Sequence, residues 1–425
     1  MLLAMLGFAQ PAGAILRIEI TQGVAGALPI AVPTFTVAGQ GGVSVDVASV
    51  VAADLTRSGR LQAVEREAFP AAAGQSETPD FAAWREQGIE YLLRGAIQPS
   101  TGNKLSVRFR LFDTVTERRV LGRRIPADPA QLRQAAHLIS DIVFEHLTGV
   151  RGAFSTRIAY VTVTGEQADQ RYHLQIADAD GQRPREVYRS SEPIMSPAWS
   201  PDGKRLAYVT FRDGRARIQI QELASGQTRQ VLAKPGINGA PAWSPDGEQL
   251  AVTLSFPGNP EIYRLDLAAA SLTRLTRHRA IDTEPAWTND GQAILFTSDR
   301  SGGPQIYRLP VTGGEPRRVS FQGRYNAHAT PMPNTEQAAI VHAQQGHFRI
   351  ALLDLQTHNI RVLTDGDLDE SPSVAPNGSM ILYASRAPDG RGVLAAVSAD
   401  GRFRQRLRLL EGEVREPAWS PFGDG

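Results

Sequence analysis

Two acidic runs, Asp282-Thr-Glu284 and Asp365-Gly-Asp-Leu-Asp-Glu370, are the densest sets of reactive groups in this 425-residue chain. Paired carboxylates at a fixed separation could serve as general acid and base on a glycan. The same groups could instead hold a cation or a basic partner through their summed potential. Asp178-Ala-Asp180-Gly181 has the opening spacing of a calcium loop but lacks the distal Glu, so it reads as a hairpin turn. Among eight histidines, His342 and His347 are the closest pair in the C-terminal part, spaced for a strand and its loop rather than a shared metal. No cysteine is present, which excludes disulfides and thiolate metal sites. The Gly-x-Ser-x-Gly elbow, the phosphate-binding Gly-x-x-x-x-Gly-Lys, the dinucleotide fingerprint and His-Glu-x-x-His are all missing. The catalytic inventory is poor.

What positions the acidic runs is a repeat. Leu174, Ile218, Ile262, Ile306, Ile350 and Leu394 follow one another at intervals of 44 residues, a period that suits the blade of a β-propeller. Pro197-Ala-Trp-Ser-Pro-Asp-Gly203 returns as Pro241 to Gly247 and Pro285 to Gly291. Degraded copies follow at Ala329-Thr-Pro331 and Pro372-Ser-Val374, and Pro417-Ala-Trp419-Ser-Pro421 ends the series. Four of the five tryptophans thus share one repeat position. The pattern predicts that Pro opens a strand, that Trp fills the wedge between blades, and that Asp-Gly makes a tight turn. Each unit then supplies four strands. The first unit enters at Arg157 without a Pro-Ala-Trp segment, and the last Pro-Ala-Trp segment lacks the strands after it. The two ends therefore complete one shared blade, giving six. Both acidic runs precede the Pro position of a repeat, which places them at one mouth of the central channel.

About 150 residues precede the propeller, enough for a further core. Met1 to Ala9 is apolar and Ala12-Gly-Ala14 is a small-residue triplet, the pattern of a secretory signal peptide over residues 1–14, although the usual basic start is missing. From Ile15 strands and helices alternate: strands at Leu16–Ile20, Leu28–Val32, Leu61–Val64, Ile89–Ile97, Leu105–Phe112 and Arg119–Ile125, and helices over Asp46–Ser58, Phe81–Gly88 and Ala130–Leu147. This predicts a two-domain chain: an N-terminal α/β domain with a mixed sheet over 15–148, a linker over 149–156, and a six-bladed all-β propeller over 157–425. The formal charge is +1, and all but three of the 45 basic residues are arginines, scattered along the chain. A nucleic-acid surface would need a basic stripe, so none is expected.

These repeats, behind a signal peptide and a small α/β domain, closely resemble the TolB family. The resemblance rests on Ile30-Ala-Val-Pro-Thr-Phe35, Val51-Ala-Ala-Asp-Leu55, Val143 to Gly149, Ser196 to Gly203, Asn238 to Trp243, Thr283 to Trp287 and Ser398 to Phe403. It implies a non-enzymatic periplasmic protein, monomeric and touching membranes only through partners. Its propeller face would bind the lipoprotein Pal through Ile237, Asn238, Ala240, Asp282, Thr283 and Glu284, where Ile237 stands at a position often His in the family. Its N-terminal segment, Ile15, Leu16, Arg17, Ile18, Glu19, Ile20, Thr21, Gln22 and Gly23 within 15–27, would bind the inner-membrane protein TolA. The resemblance further implies that some bacteriocins exploit the Pal-binding face. No cofactor is expected beyond a cation that the channel could hold. Two other readings of the propeller stay open on the residues alone: a lyase or glycan hydrolase using the acidic mouth, or an accessory to a peptidase.

Overall fold

A computed structural model describes residues 15–38, 44–70, 78–102, 104–165, 169–409 and 412–423. The expected signal peptide at 1–14 lies outside them. The N-terminal sheet is mixed. Strands β2 (Leu28–Ala31), β3 (Thr36–Val37), β4 (Leu61–Ala63), β5 (Tyr91–Pro99), β6 (Leu105–Asp113) and β7 (Arg118–Ala127) take the order β4-β2-β5-β6-β7, with β3 also on β5. The pairs among β2, β3, β4 and β5 are parallel and those of β5-β6-β7 antiparallel. Helices α1 (Val47–Arg57) and α3 (Leu132–Thr148) cover one face, burying Val51, Leu55, Ile139 and Val143 against Ile30, Leu93, Val107 and Phe109. The short α2 (Phe81–Glu86) packs Trp84 on Leu92 and Phe112 at one end of the other face. Asp46 caps α1 by accepting from Ser49 N at 3.1 Å, and left-handed Gly149 (φ 73°) ends α3.

Six sheets form the propeller. β8 (Arg157–Thr164), β9 (Arg171–Asp178) and β10 (Arg185–Ser190) make the first blade with Glu413–Trp419, the last strand of the chain, paired to β8. The two chain ends therefore share a blade, as the sequence predicts, and closure removes the open edges of the array. All six residues of the 44-residue beat are fully buried. Three of the four repeat Trp residues reach into the preceding blade, and the fourth, Trp419, turns to the linker. The indole N–H groups of Trp199, Trp243 and Trp287 donate to the carbonyls of Ala418, Ala198 and Ala242 at 3.0, 3.0 and 3.2 Å, and Trp419 donates to Thr156 Oγ1 at 2.8 Å.

Two expectations need correction. Pro does not open the innermost strands: these start three residues earlier, at Ile194, Asn238 and Asp282, and Pro lies beside a register break inside them. A bulge there leaves a backbone position unpaired, so the missing N–H costs nothing. The strand expected at Leu16–Ile20 belongs to the propeller and not to the N-terminal sheet. It runs from Arg17 to Gln22 as β1 and pairs antiparallel with Arg404–Arg408, the outermost strand of the sixth blade. Leu16, with no exposure, anchors it among Ile158, Tyr160, Leu394 and Leu407.

Candidate protein-interaction site

Successive antiparallel strands put their turns alternately at the two ends of a blade. The α/β domain and the linker occupy one end. Asp178, the last residue of β9, and Asp180, in the turn after it, meet Arg133 of α3, and Asn377 Nδ2 donates to Arg151 O at 2.8 Å. The opposite face is formed by the connections between blades and by the hairpins joining the second and third strands. It displays Met195, Ile237, Phe256, Ile281 and Phe321, all exposed large apolar side chains, with Ile237 at 48% and Ile281 at 49%. A collection of this kind on one face makes it the candidate protein-docking surface.

Bulges build the floor of that face. Ser196 (φ 50°), Ala240 (46°), Glu284 (52°), His328 (51°), Ser371 (52°) and Glu416 (54°) hold equivalent left-handed positions in the six innermost strands. A non-glycine residue in this region costs roughly 1–2 kcal/mol, and six-fold repetition of the cost aims six side chains at the channel. Glu284 accepts from Thr297 Oγ1 at 2.8 Å and from His328 N at 3.0 Å. Burial would raise its pKa, but the His328 contacts hold it below the usual range. The His328 ring lies 3.5 Å from Glu284. Burial opposes its protonation, and Glu284 overcomes this to raise its pKa. Glu416, which accepts from Ser196 N at 2.9 Å, is shifted upward by burial. The mouth therefore carries mixed charge. Among the described residues, no three acidic groups of the channel bring ligand atoms within 4.8 Å of one another.

Ile237, Asn238, Ala240, Thr283 and Glu284 line one cavity of about 570 Å³ at this mouth, with Met195, Phe211 and Ala216. The six residues expected to face Pal divide into two kinds. Ile237 is exposed, and Ala240, Thr283 and Glu284 are half-buried. Asn238 and Asp282 are buried beneath them and do not present their side chains to the surface. Asn238 Oδ1 accepts from Lys234 N at 2.9 Å, and its Nδ2 donates to Lys234 O at 2.6 Å. Asp282 accepts from Arg300 at 2.7 and 2.8 Å. These two side chains fix the connections that push Ile237 and Ile281 outward. Ile281 was within reach of sequence reasoning, since it lies one 44-residue step after Ile237. Met195, Phe256 and Phe321 carried no comparable signal.

The expected TolA segment is on the same molecule, tied down along one side only. Ile15 and Gly23 are exposed, Leu16 is buried, and within β1 only Ile18 is half-covered. The Asp178–Gly181 turn, read as a plain hairpin, holds this segment and the domain interface together. Gln182 Nε2 donates to Leu16 O at 3.4 Å, and a Cβ on Gly181 would meet Leu16 Cβ at 2.5 Å. Asp178 lies 2.8 Å from Arg183 and 3.4 Å from Arg133, which also pairs with Asp180. Burial pushes Asp178 up, yet hydrogen bonds from His137 and Arg183 bring its pKa down to about 2. His137 Nδ1 donates to Asp54 at 2.7 Å, while Nε2 faces Asp178 and Asp180 at 3.7 and 3.9 Å. Burial disfavours its charge, and Asp54 outweighs that to raise its pKa to about 9. Asp54, His137 and Asp180 also have the proximity of metal ligands. The protonated imidazole and the guanidinium groups of Arg57, Arg133 and Arg183 already supply the positive charge that a metal would bring.

Residues 144–423 match the family model described as the TolB beta propeller domain, and residues 16–120 that of the TolB amino-terminal domain. The chain belongs to the TolB family. The Tol-Pal system protein TolB of Thioalkalivibrio sulfidiphilus is 55% identical over 414 residues, spanning 97% of this chain and 95% of that protein. That of Xanthomonas campestris pv. campestris is 50% identical over 425 residues, spanning 99% and 96%. A crystal structure of TolB from Acinetobacter baumannii agrees at a TM-score of 0.87 and 39% identity, covering 96% of this chain and 100% of that one. Membership makes the chain a periplasmic scaffold without enzymatic activity. The lyase, hydrolase and peptidase-accessory readings fall with it.

Proposed function

We propose that the chain works in the Tol–Pal system as a two-ended connector. Its propeller face takes up the lipoprotein Pal, and its N-terminal segment engages TolA, supporting outer-membrane integrity and constriction at division. The observation that carries this reading is the convergence of Ile237, Ala240, Thr283 and Glu284 on one cavity, ringed by exposed apolar residues on the face away from the α/β domain. Bacteriocins would compete for the same cavity. At the other end, β1 is held by backbone pairing and one fully buried apolar anchor, Leu16, with Ile18 packed beside it. A strand so held can leave its sheet and add to a partner's. Calorimetric titration with the soluble domain of Pal tests the first contact. Ala240→Arg puts bulk and charge into the cavity and should weaken binding by ~2 kcal/mol or more. Unchanged affinity would move the Pal site elsewhere.

A further inference from the structure

The arginines that look scattered in the sequence converge on the exposed face of the N-terminal sheet. Residues directly opposite one another in antiparallel strands share a face. Arg94 is opposite Arg110, Arg108 is opposite Arg124, and Phe112 is opposite Arg119. The alternate residues Leu93, Val107, Phe109 and Leu111 enter the core with α1 and α3. Five arginines therefore stand on the side away from those helices. Gly122, opposite Arg110, leaves a gap between two of their stems: a Cβ there would lie 3.7 Å from Arg119 Cδ and 3.9 Å from Arg110 Cγ. Arg94, Arg108 and Arg110 line a cavity of about 410 Å³ with Pro33, Gln98 and Phe112.

Two features distinguish this face from ordinary surface charge. Arg108, Arg119 and Arg124 form no ion pair among the described residues, although the chain as a whole is almost neutral. Like charges set opposite one another destabilise a sheet. Charged side chains also guard sheet edges against aggregation, but that role needs charge on the edge strand alone, and Arg94, Arg108 and Arg110 lie on the inner strands β5 and β6. The outer edge of β7 has no strand partner among the described residues. Its ten residues offer a free ladder of backbone groups beside the guanidinium forks.

We propose that this face docks an acidic, extended segment of a partner protein, added along the edge of β7 with its carboxylates on Arg108, Arg119 and Arg124. Guanidinium groups take carboxylates with two parallel hydrogen bonds. Alternate residues of an added strand repeat every ~7 Å, the spacing of same-face side chains on β7. The backbone ladder on the outer edge of β7, unpaired among the described residues, suits a chain segment and not an anionic bilayer, which has no strand to pair with it.

The test uses the full mature chain and a fluorescein-labelled peptide of alternating Glu and Thr, read by anisotropy. The native chain should bind it. R108E/R119E/R124E should bind at least about tenfold more weakly, and R108K/R119K/R124K severalfold more weakly, because lysine keeps the charge but loses the fork. Affinity of both variants for the soluble domain of Pal should stay unchanged, which separates this proposal from the propeller site. Equal peptide affinity in the native chain and the Glu variant would overturn it. Binding to phosphatidylglycerol vesicles without binding to the peptide would overturn it equally. Should the Glu variant unfold, the Lys variant carries the test: undiminished peptide affinity there would rule out the bidentate contacts.

Discussion

Single side chains hold this molecule together at its domain boundary. Asp54 is buried and accepts from His137 at 2.7 Å, Ser140 at 2.7 Å and Arg57 at 3.1 Å. Removing one member of a buried charged set strands the others, so Asp54→Ala should cost about 3–5 kcal/mol in urea unfolding. The pH dependence follows from His137. Its folded pKa lies near 9, above the ordinary 6.5, so its contribution is complete below pH 6.5 and is lost as pH rises through 9. His137→Gln should flatten the fall in stability across that interval; an equally steep fall in the variant would assign it to another group. None of this was legible in the sequence. Asp54 and His137 sit on different helices, and Asp178 and Asp180 lie in what reads as a plain turn. Asn238 and Asp282 passed for surface contacts for a similar reason, since Arg300 and the Lys234 backbone reveal themselves as partners only after folding.

At the scale of elements, the blades were readable because each repeats one strand pattern, and both the Trp position and the shared final blade follow from it. The position of β1 was not. Leu16 to Ile20 has the composition of any strand, and nothing local states that its pairing partner lies nearly 400 residues away at Arg404–Arg408. The face of arginines escaped for the same reason, because cross-strand register and not sequence spacing brings them together. With one buried anchor, β1 should be the least stable strand of its sheet. Leu16→Ala should cost about 2–3 kcal/mol of docking. Amide exchange should then quicken at 17–22 and 404–408 and stay slow at Leu394 and Leu407's neighbours in the inner strands. Faster exchange throughout the blade would show that β1 is part of its core.

For the whole molecule, the central issue is whether the two ends communicate. The linker is not slack: Asp141 accepts from Phe154 N at 2.6 Å, and Gly152 packs against Asp141 so closely that a Cβ would lie 2.3 Å from its Cα. The α/β domain is thereby fixed on the propeller face opposite the cavity around Ile237, and the Asp178–Gln182 turn touches both α3 and Leu16. If occupation of the cavity biases β1, linkage requires TolA binding to change Pal affinity by the same factor. Removing residues 15–27 should abolish TolA binding, leave the propeller folded and shift Pal affinity; identical affinities would establish two independent sites. The most direct measurement for the account as a whole is a hydrogen-exchange footprint of the chain with and without the soluble domain of Pal. Protection should fall on the blade connections around Ile237 to Ala240 and Ile281 to Glu284 and spare the outer face of β5 to β7. Protection confined to the α/β domain, with the propeller mouth unchanged, would contradict it.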